Sequence, residues 1–513
     1  MEASIAVRFS PRFMKFLAAV IIAALVCAPV VQAERRLSLE DAVEIALEHS
    51  FSMKSLRMSL VQAENNWRAA KYRFRTQANM DMSLPSWAER VSSVPVPNGL
   101  PVYNSLGTFR VQSQMDITQP LPTDGNLTLR SQLYQSRESN YFAETNETLK
   151  RNDFLTSLSL RLSQPLFTYN RRKMGLKQAE LNYERSSLTL TRSQLDMVYN
   201  VTSAFFSLYR SIREDQISQE TVAQTENAYN LARLKYESGL IPEVEALEME
   251  VDLEEARANL NTAKVSLELQ KDRFKQTIGL DLDEEIGIET EISYTHFDVD
   301  LDKAIQEGLA HRSELREQEI DLEMSQFSLI ETNARNEIRA DLNAFYDMTG
   351  FSDQGLPYGT SSGDLFDSSW DDLNRRPGNR GVSLSISIPI WDWGVNKAEV
   401  ASARVNLRRN ELQIEEEKKS VVNSIRDAVR QVGAAETRLD ILTKRQNIAQ
   451  RTYDISLERF NNGDISSQEL ANNNDRLTSA KMAFLSAYIS YKLAVEDLKR
   501  KTLWDFEKNQ TVQ

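Results

Sequence analysis

The sequence is short of the residues that most chemistry needs. Of its 513 residues one is cysteine (Cys27) and three are histidine (His49, His296 and His311). That supply excludes a Cys/His zinc site and a cysteine–histidine nucleophile pair. No G-x-x-x-x-G-K-[ST] and no G-x-G-x-x-G occurs in the chain, so the common phosphate-cradling loops are missing. Positive charge is also scarce: 61 Lys and Arg stand against 74 Asp and Glu, a net charge of −13 spread over the whole length. A nucleic-acid partner requires a clustered basic face. The composition therefore predicts no enzyme, no cofactor, no metal and no nucleic acid.

Proline is confined rather than absent. Of the 13 prolines, two lie near the N-terminus, and all but one of the others fall in two windows, 85–165 and 357–389; the exception is Pro242. Because proline is costly inside a helix, everything outside those windows is free to be long helix. Apolar runs are equally confined. Arg8, Arg12 and Lys15 precede the run Phe16–Val31, followed by Val31-Gln32-Ala33, the pattern of an export signal cleaved after Ala33. Two other readings of the segment are a membrane anchor, for which the run is shorter than the roughly 20 residues needed, and lipoprotein processing at Cys27, which the branched Val26 opposes. No later run approaches that length, so a membrane-embedded mature chain must use β-strands.

The chain is duplicated. Ser38-Leu39-Glu40-Asp41-Ala42-Val43 resembles Asp300-Leu301-Asp302-Lys303-Ala304-Ile305, the match continuing through Leu47/Leu309 and His49/His311, and Ala78–Met82 faces Ala340–Ala344, all at an offset of 262. Further on the offset is 224: Pro165-Leu166-Phe167 against Pro389-Ile390-Trp391, then Tyr229, Tyr236 and Gly239 against Tyr453, Phe460 and Gly463. The first copy thus holds extra residues between Leu84 and Pro165. Repeat 1 is placed at 34–280 (helix, β insert 78–166, long helix 172–238, return helix 243–277). A linker, 281–300, leads to repeat 2 at 301–513 (helix, β insert 340–391, long helix 397–462, return helix 466–503, short tail).

Each long helix would extend about 100 Å at 1.5 Å per residue. Steps of 3 and 4 through Leu407, Ile414, Val421, Ile425, Ala428, Val432, Ala435, Leu439 and Leu442, and through Val198, Val201, Phe205, Leu208 and Ile212, lay a narrow apolar seam for a partner helix. Gly239 and Gly463 sit where C-terminal caps belong, so each long helix should reverse into its return helix. In the inserts Met80, Met82 and Leu84, then Leu158, Leu160 and Leu162, then Leu384, Ile386 and Ile388 alternate with polar residues. That is the period of a sheet with one apolar face. Two readings follow: a soluble sheet, or a membrane barrel with a polar lumen. Trp87, Trp370, Trp391 and Trp393 lie in or beside the inserts and Phe167 matches Trp391, a placement that suits aromatic girdles. Two strands per insert make four per chain, too few to close a barrel alone; three copies would supply twelve. The alternating runs around Phe109–Ile117 and Leu127–Leu133 are either a further barrel hairpin or a β-structured loop outside the membrane.

With these features the chain resembles the TolC-like outer-membrane efflux and secretion channel family. The resemblance rests on Leu39-x-x-Ala42-Val43-x-x-Ala46-Leu47 and Leu301-x-x-Ala304-Ile305-x-x-Gly308-Leu309, on the strand ending Pro165-Leu166-Phe167, and on an aromatic-x-x-Gly turn followed by an acid in each repeat. It implies a mainly α protein with membrane β structure, whose antiparallel helical hairpins form a periplasmic α-barrel. It also implies a homotrimer with a twelve-stranded barrel in the Gram-negative outer membrane, in contact with outer-membrane lipid. Such a duct serves a tripartite efflux pump or type I secretion system, reached by a periplasmic adaptor and an inner-membrane transporter of RND, ABC or MFS type. The resemblance further places the aperture at Glu245, Glu248, Glu469 and Asn472, with the last neutral where a second acid can occur, and the docking turns at Tyr236, Gly239, Pro242, Phe460 and Gly463. Acids near a helix start also need no functional explanation, being favoured there by the dipole. The alternative class is a periplasmic or surface coiled-coil adaptor or structural protein without a channel.

Overall fold

A computed structural model describes residues 35–97, 99–289, 296–353 and 355–511; the expected export signal and Cys27 lie outside them. The elements in chain order are β1 (Arg35–Leu37), α1 (Leu39–His49), α2 (Phe51–Tyr72), β2 (Gln77–Val94), β3 (Val102–Pro120), β4 (Asn126–Phe142), β5 (Glu147–Leu166), α3 (Arg171–Glu237) and α4 (Glu243–Ile278). There follow β6 (Ile286–Ile288), α5 (Leu301–His311), α6 (Ser313–Ala334), β7 (Arg339–Phe351), α7 (Ser362–Arg375), β8 (Asn379–Ser387), α8 (Val395–Asn462), α9 (Ser467–Thr502), β9 (Trp504–Asp505) and β10 (Gln510–Thr511). They fall into two units, one of residues up to Ser55 with Arg192–His311 and Val421–Gln513, the other of Leu56–Thr191 and Arg312–Ser420.

The first unit is helical. The seam residues Val201, Phe205 and Leu208 of α3 and Ala428, Val432 and Leu439 of α8 are buried together with Phe274, Tyr488 and Tyr491. Apolar burial along such stripes, at roughly 25 cal/mol per Å², is what holds helices this polar overall. The start of the first repeat is fixed locally: Ser38 accepts from the Asp41 N–H while the Asp41 carboxylate accepts from the Ser38 N–H, a reciprocal cap that satisfies two otherwise orphaned donors.

The second unit contains one antiparallel sheet in the order β2-β3-β4-β5-β7-β8. Six strands stand where four were expected, because the residues peculiar to the first repeat form the hairpin β3–β4 within the same sheet. Alternation is clearest in two adjacent rows, while Ser113, Ser131, Gln135 and Arg137 interrupt the apolar side elsewhere. Ala78, Ile117, Leu129, Leu160 and Tyr346 face one another across five strands, and the next row is Asn79, Asp116, Arg130, Ser159, Asp347 and Asn379. One face is therefore apolar and exposed, with Met80, Met82, Val382, Leu384 and Ile386 in the open, while the other pairs Arg130 with Asp116 at 2.7 Å. Among the described residues no helix is long and apolar enough to cross a membrane.

The second insert is not strand throughout. Ser361 accepts from the Asp364 N–H at the start of α7, and Leu365, Ser369 and Leu373 pack it onto the apolar side of the sheet, where the Thr156 and Ser369 hydroxyls meet at 2.7 Å. Residues 359–363 spell G-x-S-x-G, but Ser361 is occupied as a helix cap and none of the three histidines lies between 312 and 420. The spelling carries no nucleophile here.

Candidate functional site: the paired hairpin tips

Both long helices end in the same turn. At the end of α3 the Gly239 N–H donates to the Tyr236 carbonyl at 2.8 Å and the Leu240 N–H to that of Lys235 at 2.8 Å; at the end of α8 Gly463 donates to Phe460 at 3.1 Å and Asp464 to Arg459 at 2.9 Å. These are the two bonds of a Schellman cap, whose C′ residue must be left-handed. Gly239 has φ +72° and Gly463 φ +85°. Pro242 then caps α4 with an extended backbone, and Ser466 caps α9 by accepting from the Glu469 N–H at 3.3 Å.

The two tips share one apolar cluster, in which Ala228 and Ala232 of α3, Met249 of α4, Tyr453 and Phe460 of α8 and Leu470 and Leu477 of α9 are buried. The duplicated aromatics have diverged. Phe460 is 1% exposed and Tyr236 is 39% exposed. Lys235, itself buried, donates to the Phe460 carbonyl and holds its ammonium 4.3 Å from the centre of the Phe460 ring. A buried ammonium is costly without such partners. The sequence analysis missed this lysine, whose only signal is its position beside the apolar seam.

The four expected aperture residues are not equivalent. Glu245 accepts from the Ser467 hydroxyl at 3.1 Å, a bond that joins the first hairpin to the second, whereas Glu248, Glu469 and Asn472 are exposed. One turn further in, a cavity of about 160 Å³ is lined by Asp252 and Glu255 of α4 and by Asn474 and Asp475 of α9, among others. Burial, then the charges of Asp475, Glu255 and Glu248, push the Asp252 carboxyl above its ordinary value; burial and Glu255 do the same to Asp475. Neither aspartate was singled out in the sequence. Asp252 is half-buried and Asp475 lies at the open side of the cavity, positions that depend on helix rotation within the bundle.

In the sheet unit, Trp87 projects from β2 on the apolar face, paired across the ladder with Phe109 and 69% exposed. Phe154 meets Phe366 edge-on at 5.7 Å, and Phe366 stacks on Trp370 of α7 at 6.1 Å. At the opposite end of the strands Phe167, Trp391 and Trp393 are exposed, the two tryptophans 4.9 Å apart. Between positions 156 and 166 a strand advances about 33 Å, or about 25 Å along the normal at the tilt of about 40° usual in barrels. An apolar band of about that height is what a membrane barrel presents.

The sequence matches the outer membrane efflux protein family over residues 126–280 and 358–502, more than half of the chain. It is 23% identical over 361 residues to the outer membrane protein TolC of Escherichia coli (strain K12), covering 68% of this chain and 69% of that one. Its fold is similar to that of the Campylobacter jejuni CmeC outer membrane channel, with a TM-score of 0.64 at 15% identity over 93% of this chain and 86% of that one. It is also similar to the outer membrane protein VceC of Vibrio cholerae, with a TM-score of 0.63 at 14% identity over 93% and 97%. The chain belongs to the outer membrane efflux protein family, as a non-enzymatic TolC-type channel of the outer membrane that serves as the exit duct of efflux pumps.

Proposed function

We propose that the duct is a homotrimer, closed at rest by its hairpin tips and opened there by a periplasmic adaptor and an inner-membrane transporter. The observation that carries this reading is the sheet. One chain leaves β2 and β8 with unpaired edges beside an exposed apolar face, and lipid offers no hydrogen bonds to satisfy an open edge. Only further copies can close it, and a coiled-coil adaptor would have no use for such a surface.

At the tips, Leu234, Leu240, Val244, Leu247 and Val251 are exposed together with Tyr236. A stripe of that kind on a helix pair supports docking of other helices, and the adaptor is its occupant around the Gly239 and Gly463 turns. Glu469 of the three copies forms the acidic ring of the aperture, with Glu248 beside it and Asn472 adding no charge. The Glu245–Ser467 bond ties the two hairpins of one copy. Recording single channels in planar bilayers tests the assignment: Glu469→Lys should change conductance and its dependence on pH. An unchanged trace would remove Glu469 from the aperture.

A further inference from the structure

We infer that the hairpin β3–β4 is part of the barrel wall, so that three copies close an eighteen-stranded barrel, with β2 of each copy pairing to β8 of the next. The inference rests on the trimeric reading above and adds the width of the exit. Three observations carry it.

The first is pairing. β3 is bonded to β2 from Gln77↔Thr118 to Val94↔Val102, and β4 to β5 from Asn126↔Ser163 to Phe142↔Glu147. A loop folded outside the membrane would leave this ladder, and β2 and β5 would pair directly. Instead β2 and β5 do not touch as neighbours; the sheet order puts both extra strands between them.

The second is height. The turn between β3 and β4 lies where β5 passes into α3, not at the far end of the sheet. The Asn170 amide donates to the Pro122 carbonyl at 2.7 Å, Arg172 donates to the Gly125 carbonyl and to Asn126 Oδ1 at 2.7 Å each, and Gln164 donates to the Thr123 carbonyl at 2.9 Å. Each of the two strands therefore runs the full length of the wall.

The third is the side-chain pattern. The apolar row Ala78–Ile117–Leu129–Leu160–Tyr346 and the polar row Asn79–Asp116–Arg130–Ser159–Asp347 pass through β3 and β4, and Phe109, Val111, Met115, Leu127 and Leu133 lie on the apolar side with Ser113 and Ser131 between them. A strand in water on both faces has no reason to keep one face apolar, whereas a stave between lipid and lumen must. Closure is also stereochemically consistent. Neighbours alternate in direction across an even number of strands, so β8 of one copy runs antiparallel to β2 of the next. Both edges carry the apolar face to their limit, in Met80, Met82 and Trp87 on one and Val382, Leu384 and Ile386 on the other, all exposed. The occupant of each edge is therefore a second copy of this chain.

Barrel diameter grows with strand number. At a spacing of about 4.8 Å and a tilt of about 40°, twelve strands give a backbone diameter of about 24 Å and eighteen about 36 Å. The wall would be half as wide again, which moves any restriction on bulky cargo away from the barrel and onto the helical part of the duct.

Electron cryo-microscopy of the purified oligomer in lipid nanodiscs decides the matter. A trimer with eighteen strands, residues 102–142 among them, is the expected result. A trimer with twelve strands and that hairpin outside the wall overturns this inference alone. A dimer, which would close twelve strands from two copies, overturns it together with the trimeric reading, as does a protein that forms no membrane oligomer. A second measurement needs no image: single cysteines at Gln114, Gln132, Ile117 and Leu129, in a chain whose sole native cysteine is Cys27, labelled on whole cells with a membrane-impermeant maleimide. Gln114→Cys and Gln132→Cys should label at least tenfold faster than Ile117→Cys and Leu129→Cys, with all four equal after denaturation. Equal rates before denaturation would place the hairpin in water and overturn the proposal.

Discussion

Truncating Phe460 should open the duct without touching any charge at the aperture. The ring is 1% exposed and packs among Ala228, Ala232, Met249, Tyr453, Leu470 and Leu477, so it joins all four helices of the two hairpins. Phe→Ala at a site of this kind costs about 3–5 kcal/mol, and the ammonium of Lys235, 4.3 Å from the ring centre, loses a cation–π contact of about 0.5–2 kcal/mol. If the cluster is what loosens when the tip opens, about 4 kcal/mol raises the loosened population by nearly 1,000-fold, since 1.4 kcal/mol is tenfold. Phe460→Leu keeps most of the buried area and loses the ring face, so its effect should be about tenfold. Single-channel recording reads the open probability, and hydrogen exchange over residues 449–478 reads the loosening directly. A Phe460→Ala channel with unchanged opening and unchanged protection would refute the reasoning. Faster exchange with unchanged opening would show that the cluster stabilises the tip but does not gate it.

Four further substitutions separate turn geometry and charge from packing. Gly463 has φ +85° and a Cβ there would meet nothing within 4 Å, so Gly463→Ala isolates the backbone cost of a left-handed residue, about 1–2 kcal/mol, measurable as faster exchange of the amides at 460–466; the same holds for Gly239→Ala at φ +72°. Asp475→Asn should raise the melting temperature at pH 7. Burial and the neighbouring acids hold the Asp475 and Asp252 carboxyls above their ordinary values, so the stability they contribute is present below the unfolded-state value near 4 and is lost as pH rises through the raised folded value. The gain from Asp475→Asn should therefore vanish near pH 4, and a lower melting temperature at pH 7 would contradict the assignment. Asp252→Asn should behave alike, with less than additive effect in the double variant because the two carboxylates act on each other.

Much of the architecture was legible because its rules are local. Steps of 3 and 4 through Val421, Ile425, Ala428 and Val432 predict a buried seam, and those four side chains are buried. Gly239 and Gly463 announce left-handed caps through the one backbone region that glycine enters freely. The alternation in Leu158–Leu162 and Leu384–Ile388 predicts a sheet with one apolar face. Helix α7 was hidden inside a strand-like window; its signal was Ser361-x-x-Asp364 before Leu365, Ser369 and Leu373, a cap followed by helical spacing. The place of the two extra strands was open for a different reason. Phe109–Ile117 and Leu127–Leu133 showed the right period, but period says that a strand exists and not which strand it pairs with.

The sequence by itself determined the duplication, the long helices, the turns that reverse them and the face each strand would bury. All of these follow from spacing within one segment, where backbone geometry converts order along the chain into direction in space. The tertiary structure decided what lies opposite what. It joined β3–β4 to both its neighbours, buried Phe460 while leaving its duplicate Tyr236 exposed, set Lys235 against that ring, and gave Glu245 a hydroxyl from the other hairpin. The strand pairing is a choice among possible neighbours, and the other outcomes depend on contacts between residues more than 200 positions apart or on the rotation of one helix against another; no period in the chain encodes any of these.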